Sequence, residues 1–263
     1  MKTLKTSTFP LRRLSGPAVL TVAAIALGAC APKPASGIND PYEVQNRRTH
    51  NFNKALDQGV IRPVSKAYVA VVPDPILDRV SAFSDNLSAP AYVLNNLLQG
   101  NFEDAFVNSS RFVINTVLGF GGLVDVAAEA GVPERDTDWG ETFFVWGLPE
   151  GAYVEMPVIG PATERDRAGR IVGVFTNPMS YVIPSPESYA GTGAKVLDRL
   201  GDRGRYASTV DGVLYDSADS YAQARSIYLQ NRRYELGGGA TASADPYDDP
   251  YGSTDANTDP YDE

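Results

Sequence analysis

Apolar and polar residues follow one another along this chain at spacings that are typical of amphipathic helices. Between Phe102 and Leu118, mostly apolar side chains recur every three or four positions, as they do along one face of a helix. Apolar stretches come in quick succession, at residues 67–72, 91–98, 112–124 and 142–148. Signals for strands are scarce, and residues 152–160 form the best short extended segment. The pattern predicts a mainly α protein with little or no β structure.

The first helix is predicted from a start signal at Asp40. Asp40 can cap the helix, Pro41 suits its first position, and Glu43 completes a pair that resembles a capping box. We expect this helix to run to about Gln58 and to stop at Gly59, because glycine commonly ends helices.

Similar start and stop signals predict the two helices that follow. Asp74 is expected to cap a helix that has Pro75 in its first turn. Gly100 is expected to end one helix, and Asn101 to cap the next.

Two more helical regions are predicted in the second half of the chain. One starts at Thr163 and has Asp166 in its first turn, where a negative charge is favourable. The other extends over residues 185–235, and we expect it to break at Gly201 and Gly204.

The segment 111–127 is apolar but interrupted by glycine. It is shorter than the roughly 20 apolar residues that span a bilayer, and each glycine in a helix costs about 1 kcal/mol relative to alanine. Two structures remain possible: a turn at Gly119, Phe120, Gly121 and Gly122 that enters one membrane leaflet, or a buried hairpin in a soluble core.

The N-terminal residues have the features of an export signal. A basic start and a short apolar core precede small residues and the chain's only cysteine, Cys30. This arrangement predicts a lipoprotein signal peptide at 1–29, lipidation of Cys30 and a lipidated tether at 30–39. An ordinary signal peptide with a chance cysteine is the alternative. Since Ala31 follows the cysteine rather than Asp, we expect the outer membrane, facing the periplasm.

Charge is concentrated in the C-terminal tail. The formal charge of −9 becomes −13 without the four basic residues of the signal, and about −6 when the seven acidic residues beyond 240 are also left out. A mildly acidic body argues against nucleic acid as a partner. The tail, 237–263, repeats Asp-Pro-Tyr and is predicted to be disordered, which leaves 40–236 as the folded domain.

Residues for catalysis are sparse. His50 is the only histidine, so neither a His-based metal site nor a Ser-His-acid triad can be assembled, and we expect a surface or capping imidazole. The carboxylates of Asp136, Asp138 and Glu141 are interpreted as a charged turn. The sequence therefore predicts a protein that is not an enzyme and has no cofactor and no metal.

Several motifs in one order resemble the MlaA/VacJ family of outer-membrane lipoproteins, which maintains lipid asymmetry. They lie at residues 40–47 (DPYEVQNR), 51–53 (NFN), 62–64, 72–75, 86–100, 111–127, 146–161 and 165–166. The resemblance covers roughly residues 40–235. Departures occur at 218–225, which lacks the proline of the family's S-D-P-Y-x-x-x-R, and at 146–153.

The resemblance implies a fold and a function. Amphipathic helices would form a ring embedded in one membrane leaflet around a central channel. Phospholipids misplaced in the outer leaflet would pass through it to a soluble periplasmic lipid-carrier protein, and a trimeric outer-membrane porin would be a further partner. Trp139 and Trp146 would suit the interfacial zone.

The resemblance also implies sites. Asn51, Phe52 and Asn53 would lie at the regulatory edge of the lipid channel. The loop of Gly147, Leu148, Pro149, Glu150 and Gly151 would act as a hinge, although Pro149 and Glu150 depart from the family's glycine-rich pattern.

Three alternatives stay open. Arg47, Arg62 and Arg111 could attract phosphate or serve as structural ion-pair partners. A porin-associated structural lipoprotein without lipid-transport activity is the second reading of the whole protein, and a lipid hydrolase, weakened by the missing nucleophile–base pair, is the third.

Overall fold

The computed structural model describes residues 37–183 and 188–237, where the chain is mainly helical, as predicted. The helices are α1 (Glu43–Leu56), α2 (Arg62–Val71), α3 (Asp74–Gln99), α4 (Phe102–Val117), α5 (Val126–Glu129), α6 (Trp139–Val145), α7 (Glu164–Thr176), α8 (Met179–Val182), α9 (Ser188–Arg205), α10 (Ala207–Asp211) and α11 (Ser220–Leu236). The signal peptide, Cys30 and the tail from residue 238 lie outside the described residues. In the part of the chain described, none of the helices combines the length and apolar character that crossing a bilayer requires.

A small hairpin occupies the segment that was predicted to be extended. Strands β1 (Tyr153–Met156) and β2 (Gly160–Thr163) pair antiparallel, with Tyr153 opposite Thr163. Between them Val158 has a φ of +68°, which allows the tight reversal. The first strand was predicted and the second was not, because its Gly-Pro sequence carries little strand propensity.

The predicted start of α1 is wrong by two residues. The helix begins at Glu43, and Tyr42 holds the cap position without a side-chain hydrogen bond. The Asp40 carboxylate instead accepts hydrogen bonds from Asn46, Tyr221 and Arg225. Tyr221 and Arg225 are distant in sequence, and a charge-assisted bond to a guanidinium is stronger than a local cap.

The predicted stop at Gly59 is also wrong. The helix passes through Gly59 as a widened π segment, Asp57–Ile61, and continues directly into α2. Asp57 within this segment is buried and bonds to Arg203 and Tyr215. A π bulge places one extra residue in a helical turn. Here the bulge contains Asp57, whose carboxylate makes the long-range contacts.

The local signals of the middle helices are confirmed. Gly100 adopts a left-handed conformation with a φ of +78° and ends α3. Asn101 Oδ1 accepts the N–H of Asp104, and Thr163 Oγ1 accepts the N–H of Asp166. The start of α3 differs by one position, because Pro73 occupies the cap and Asp74 is the first helical residue.

The breaks predicted at Gly201 and Gly204 are wrong. Helix α9 runs through both glycines, and the interruptions come later, around α10, a π segment at Gly212–Asp216 and the start of α11. A Cβ on Gly204 would lie 2.4 Å from Val69 Cγ1 and 2.8 Å from the Ser65 carbonyl oxygen. The glycine therefore permits close packing of α9 on α2 rather than a break.

The interior of the described structure is largely polar. On α4, Ala105, Asn108, Arg111 and Asn115 are buried. The opposite face of the same helix is exposed and apolar, with Phe102, Phe106, Val113 and Val117. This arrangement inverts the usual amphipathic helix of a water-soluble protein.

The longer helices pack in pairs. Helix α3 packs against α4 and α9, α9 also packs against α2, and α6 packs against α7. On α7 the polarity is again inverted, because Arg165 and Asp166 are buried while Val174 and Phe175 are exposed. Polar faces from α3, α7 and α9 thus meet inside the molecule.

Candidate functional site

A cavity of about 340 Å³, lined by both polar and apolar surface, lies where α3, α7 and α9 meet the segment 137–139. We refer to it as the α3–α9 cavity, and the side chains that matter below are Ser84, Asp85, Ser88, Lys195, Asp198 and Arg199. A second cavity of about 450 Å³ adjoins it and shares Tyr92, Thr137, Asp138 and Arg199 in its lining. The described structure therefore contains a partly open space between helices that is lined by charged side chains.

One wall of the cavity is set by the periodicity of α3. Ser84, Ser88, Ala91 and Asn95 follow one another at helical spacing and turn toward the cavity. Asn95 is fixed there, because its Oδ1 accepts a 2.8 Å hydrogen bond from the Thr142 hydroxyl of α6. Gln99, one turn further, donates to Thr137 and Thr142 and ties the end of α3 to the same segment.

The opposite wall belongs to α9. Lys195, Asp198 and Arg199 occupy positions i, i+3 and i+4 and so share one face of the helix. Burial and the neighbouring Arg199 guanidinium lower the pKa of Lys195. The Asp85 carboxyl across the cavity has a pKa raised to about 7, first by burial and then by the nearby carboxylates of Glu134 and Asp198.

An aromatic cluster lies beside the cavity. Trp139, which lines the cavity, packs against Phe143 and edge-on against Trp146 with ring centroids 6.2 Å apart. The indole N–H of Trp146 donates to the Leu98 carbonyl oxygen at 3.0 Å, while its ring is half exposed. A half-exposed indole with a satisfied N–H has the amphipathic character that suits a membrane interface.

The glycine-rich turn after α4 is tightly constrained. A Cβ on Gly119 would lie 2.1 Å from the Val124 carbonyl oxygen, and one on Gly122 would lie 2.4 Å from Asn86 Nδ2. Gly121 and Gly122 have positive φ angles, and so does Phe120, whose ring is 80% exposed. Gly119 and Gly122 leave no space for a side chain, whereas Phe120 presents a large aromatic ring outward.

The predicted channel-edge residues divide into two groups. Asn51 and Phe52 are exposed on α1. Asn53 Nδ2 donates to the Met156 carbonyl oxygen at 3.0 Å, and its Oδ1 accepts the N–H of Val158 at 2.7 Å. Asn53 therefore fastens α1 to the β hairpin, and none of the three lines the cavities described above.

The predicted hinge loop, 147–151, lies outside the cavity walls and is held by several contacts. Gly147 and Gly151 have φ angles of +85° and +76°. The Glu150 carboxylate forms a bidentate pair with Arg233 at 2.9 and 3.0 Å, and the Gly151 carbonyl oxygen accepts from Asn39. In this conformation the C-terminal end of the loop is tied to other parts of the fold.

The three arginines that could have bound phosphate are ion-pair partners. Arg47 pairs with Asp219, Arg62 with Asp211, and the buried Arg111 with Asp125 at 2.8 Å. The structure thus favours the second of the alternatives left open by the sequence.

The predictions for His50 and for the acidic turn have different outcomes. His50 was expected at the surface or at a cap, but it is buried, with Nε2 3.1 Å from Ser220 Oγ and Nδ1 3.4 Å from Glu155. The residues that cover His50 come from α11 and β1, and both elements are distant from it in sequence. Asp138 caps α6 and pairs with Arg232, so its role is structural, as the charged-turn interpretation implied.

Sequence reasoning missed the charged residues of the cavity. Lys195 and Arg199 carry a signal that could have been used, because two cations four residues apart on a helix repel each other. Asp85 carries none, since only the packing of α3 on α9 places it near them.

Comparisons with known proteins relate the chain to one family. The model of the "MlaA lipoprotein" family matches residues 38–235. The intermembrane phospholipid transport system lipoprotein MlaA of Escherichia coli is 34% identical over 231 residues, covering 84% of this chain and 90% of that protein. The protein with the same name from Haemophilus influenzae is 30% identical, over 83% of this chain and 89% of its own length.

A solved structure supports the same relationship. It comes from work on the structural basis for maintenance of bacterial outer membrane lipid asymmetry, and it matches this chain with a TM-score of 0.65 and 31% identity. The match covers 75% of this chain and 98% of the solved one. With the family model spanning nearly all of the described residues, the chain belongs to the MlaA lipoprotein family.

Proposed function

We propose that this protein is an outer-membrane lipoprotein that removes mislocalised phospholipids from the outer leaflet and passes them to a soluble periplasmic carrier. The relatives from Escherichia coli and Haemophilus influenzae are named for an intermembrane phospholipid transport system. The solved relative was studied for bacterial outer membrane lipid asymmetry. Membership of the same family and a shared fold make the same activity the best assignment for this chain.

The inverted polarity of the helices carries the proposal. Phospholipids need an apolar surface for their chains and a polar, hydrated space for their head groups. The exposed apolar faces of α4 and α7 supply the first, and the α3–α9 cavity supplies the second. An amphipathic protein of this kind lies within one leaflet with its apolar residues toward the acyl chains.

Anchoring and partners complete the proposal. Acyl chains on Cys30 hold the protein at the periplasmic side of the outer membrane of a Gram-negative bacterium, since each buried methylene adds about 0.8 kcal/mol. A trimeric porin surrounds part of the apolar exterior, and the periplasmic carrier receives the lipid. The proposed activity is transfer, with no chemical step.

Three segments receive roles within this proposal. The turn at Gly119–Gly122 inserts Phe120 into the leaflet. Asn51 and Phe52 border the opening of the channel, with Asn53 holding them against the hairpin. The loop 147–151 acts as a hinge, and release of Glu150 from Arg233 frees it.

The test is phospholipid exposure on intact cells. A deletion strain is compared with strains complemented by the wild-type protein, by Cys30→Ser and by Phe106→Asp, which places a charge on the apolar face of α4. Gln230→Asp on the polar face of α11 is the matched control, because it adds the same charge at another exposed position.

We expect deletion to raise exposure, and the wild type and Gln230→Asp to restore the barrier. Cys30→Ser and Phe106→Asp should restore it poorly. If deletion leaves phospholipid exposure on the cell surface unchanged and the protein still binds porin, the proposal is wrong. The alternative of a structural lipoprotein would then be favoured. Release of lysophospholipid or fatty acid by the purified protein would instead support the alternative that the protein is a lipid hydrolase.

A further inference from the structure

Five charged side chains of the α3–α9 cavity have no ion-pair partner among the described residues. Asp85 comes from α3, Arg170 from α7, and Lys195, Asp198 and Arg199 from α9. Arg170 is exposed, and its guanidinium donates to the Pro161 carbonyl oxygen. Two buried arginines elsewhere in the interior are paired: Arg203 pairs with Asp57 and Asp211, and Arg111 pairs with Asp125. The cavity thus holds charges of both signs that are not joined in ion pairs, while Asp85 and Lys195 attract each other across it.

Some of the charged side chains in the cavity also lie close to side chains of the same sign. Lys195 and Arg199 lie one helical turn apart, where like charges repel. Asp85 is surrounded by the carboxylates of Glu134 and Asp198, and its environment favours the neutral form. An anion near Lys195 and a cation near Asp85 would each relieve an unfavourable interaction.

Ser84 and Ser88 add hydrogen-bonding capacity next to Asp85. Both line the cavity, and each carries a hydroxyl oxygen that can accept a hydrogen bond. A primary ammonium has three N–H donors and can use the carboxylate and a hydroxyl together. A quaternary ammonium has no N–H donor, so it gains only the electrostatic part of this environment.

We propose that the α3–α9 cavity recognises the zwitterionic head group of an aminophospholipid, with the phosphate beside Lys195 and Arg199 and the primary ammonium beside Asp85. In such a head group, two methylenes join the phosphate ester to the ammonium, so the two charges are close enough to occupy facing walls of one cavity. The inference rests on the proposed lipid transport and adds its head-group preference.

The experiment measures which lipid the acylated, full-length mature protein takes up. Purified protein is incubated with vesicles that contain phosphatidylethanolamine, phosphatidylglycerol and phosphatidylcholine in equal amounts, and the bound lipids are counted by native mass spectrometry. The variant is Asp85→Asn, which keeps the shape and removes the charge. Asp78→Asn is the matched control, because Asp78 is an exposed carboxylate on the same helix outside the cavity.

We expect the wild type and Asp78→Asn to retain phosphatidylethanolamine over phosphatidylglycerol by about tenfold, which corresponds to one charge-assisted hydrogen bond. Asp85→Asn should bring this ratio close to one. Lys195→Gln should weaken uptake of all three lipids by similar factors, since all contain the phosphate. Circular dichroism melting confirms that each variant is folded before the count.

Two results would overturn the inference alone: an unchanged lipid ratio in folded Asp85→Asn, or equal displacement of all lipids by inorganic phosphate, which would indicate a simple phosphate site. A wild-type protein that takes up no lipid at all would overturn the proposed function as well. Lipid uptake with no dependence on Asp85 therefore separates the two failures.

Discussion

Asp85 makes the stability of the protein depend on pH in a definite direction. Its pKa is about 7 in the folded state and near 3.8 in the unfolded chain, so the folded state holds an extra proton between these values. Stability from this group is present at low pH and is lost as pH rises through 7. The charged groups around it are Glu134, Asp198, Asp125, Asp202 and Lys195.

We therefore predict that wild-type protein loses more stability than Asp85→Asn between pH 5 and pH 8. Because the side chain is partly exposed, the expected difference is about 1 kcal/mol, or roughly 3 °C in Tm. Thermal melts of both proteins across this pH range provide the measurement. Parallel curves for the two proteins would mean that Asp85 titrates normally.

Arg203 and Arg205 lie on the same helix, but we expect their substitution to lower the free energy of unfolding by different amounts. Arg203 is buried with Asp57 and Asp211, each at 2.7 Å, whereas Arg205 pairs with Asp78 near the surface. We predict a loss of about 3 kcal/mol for Arg203→Met, because the Asp57 carboxylate stays buried without its cation. Arg205→Met should cost less than about 1 kcal/mol.

Chemical denaturation of the two variants checks this prediction. Equal effects would show that the pair between Asp57 and Arg203 is as well solvated as a surface pair. The double variant Asp57→Asn with Arg203→Met should recover part of the loss, since it removes both charges together.

For single residues, the sequence predicted roles that depend on near neighbours and failed for those that depend on distant ones. Asn101 and Thr163 act as caps because their partners lie three residues away. Asp40 has the same local signal, but Arg225 and Tyr221 hold its carboxylate instead. No local pattern could have revealed that competition, or the position of Asp85 opposite α9.

Helix α9 offers a direct comparison of two glycines. A Cβ on Gly204 would collide with Val69 and with the Ser65 backbone, whereas a Cβ on Gly193 has nothing within 4 Å. We predict that Gly204→Ala destabilises the protein by about 2 kcal/mol through overpacking. Gly193→Ala should stabilise it by about 0.5–1 kcal/mol through helix propensity.

Thermal unfolding of both variants under the same conditions tests the comparison. Stabilisation by both substitutions would mean that α2 and α9 can move apart at little cost, and the close contact would lose its significance.

Glycine is the reason that helix starts were predicted better than helix ends. Gly100, Gly59 and Gly204 look alike in the sequence, yet the first ends a helix, the second lies in a π segment and the third packs against α2. Only the first role is local. The mainly α fold followed from apolar spacing, while the paths of α1 into α2 and of α9 depended on contacts across the molecule.

Apolar side chains cover much of the described exterior. Large exposed residues occur on α4, in the turn after it, and on α7, α8 and α9: Phe106, Val113, Phe120, Val174, Val182 and Val196. A stable monomer in water rarely shows so much apolar surface. This distribution is what supports placement of the protein in a membrane leaflet.

We predict that nitroxide labels at residues 106 and 174 contact lipid in reconstituted vesicles, whereas a label at 230 contacts water. Collision with dissolved oxygen should dominate at the first two positions, and collision with a water-soluble nickel chelate at the third. Power-saturation measurements give both rates. Equal accessibility to the chelate at all three sites would remove the support for membrane embedding.

The polar interior also has a consequence for temperature dependence. Exposing apolar surface on unfolding raises the heat capacity, and exposing polar surface lowers it. Asn95 and Asn108 are buried in this protein, while Phe102 and Phe106 are exposed before it unfolds. Unfolding should therefore raise the heat capacity by less than the roughly 12–15 cal/mol/K per residue of ordinary globular proteins. The curve of stability against temperature becomes flatter, and cold unfolding moves to lower temperatures.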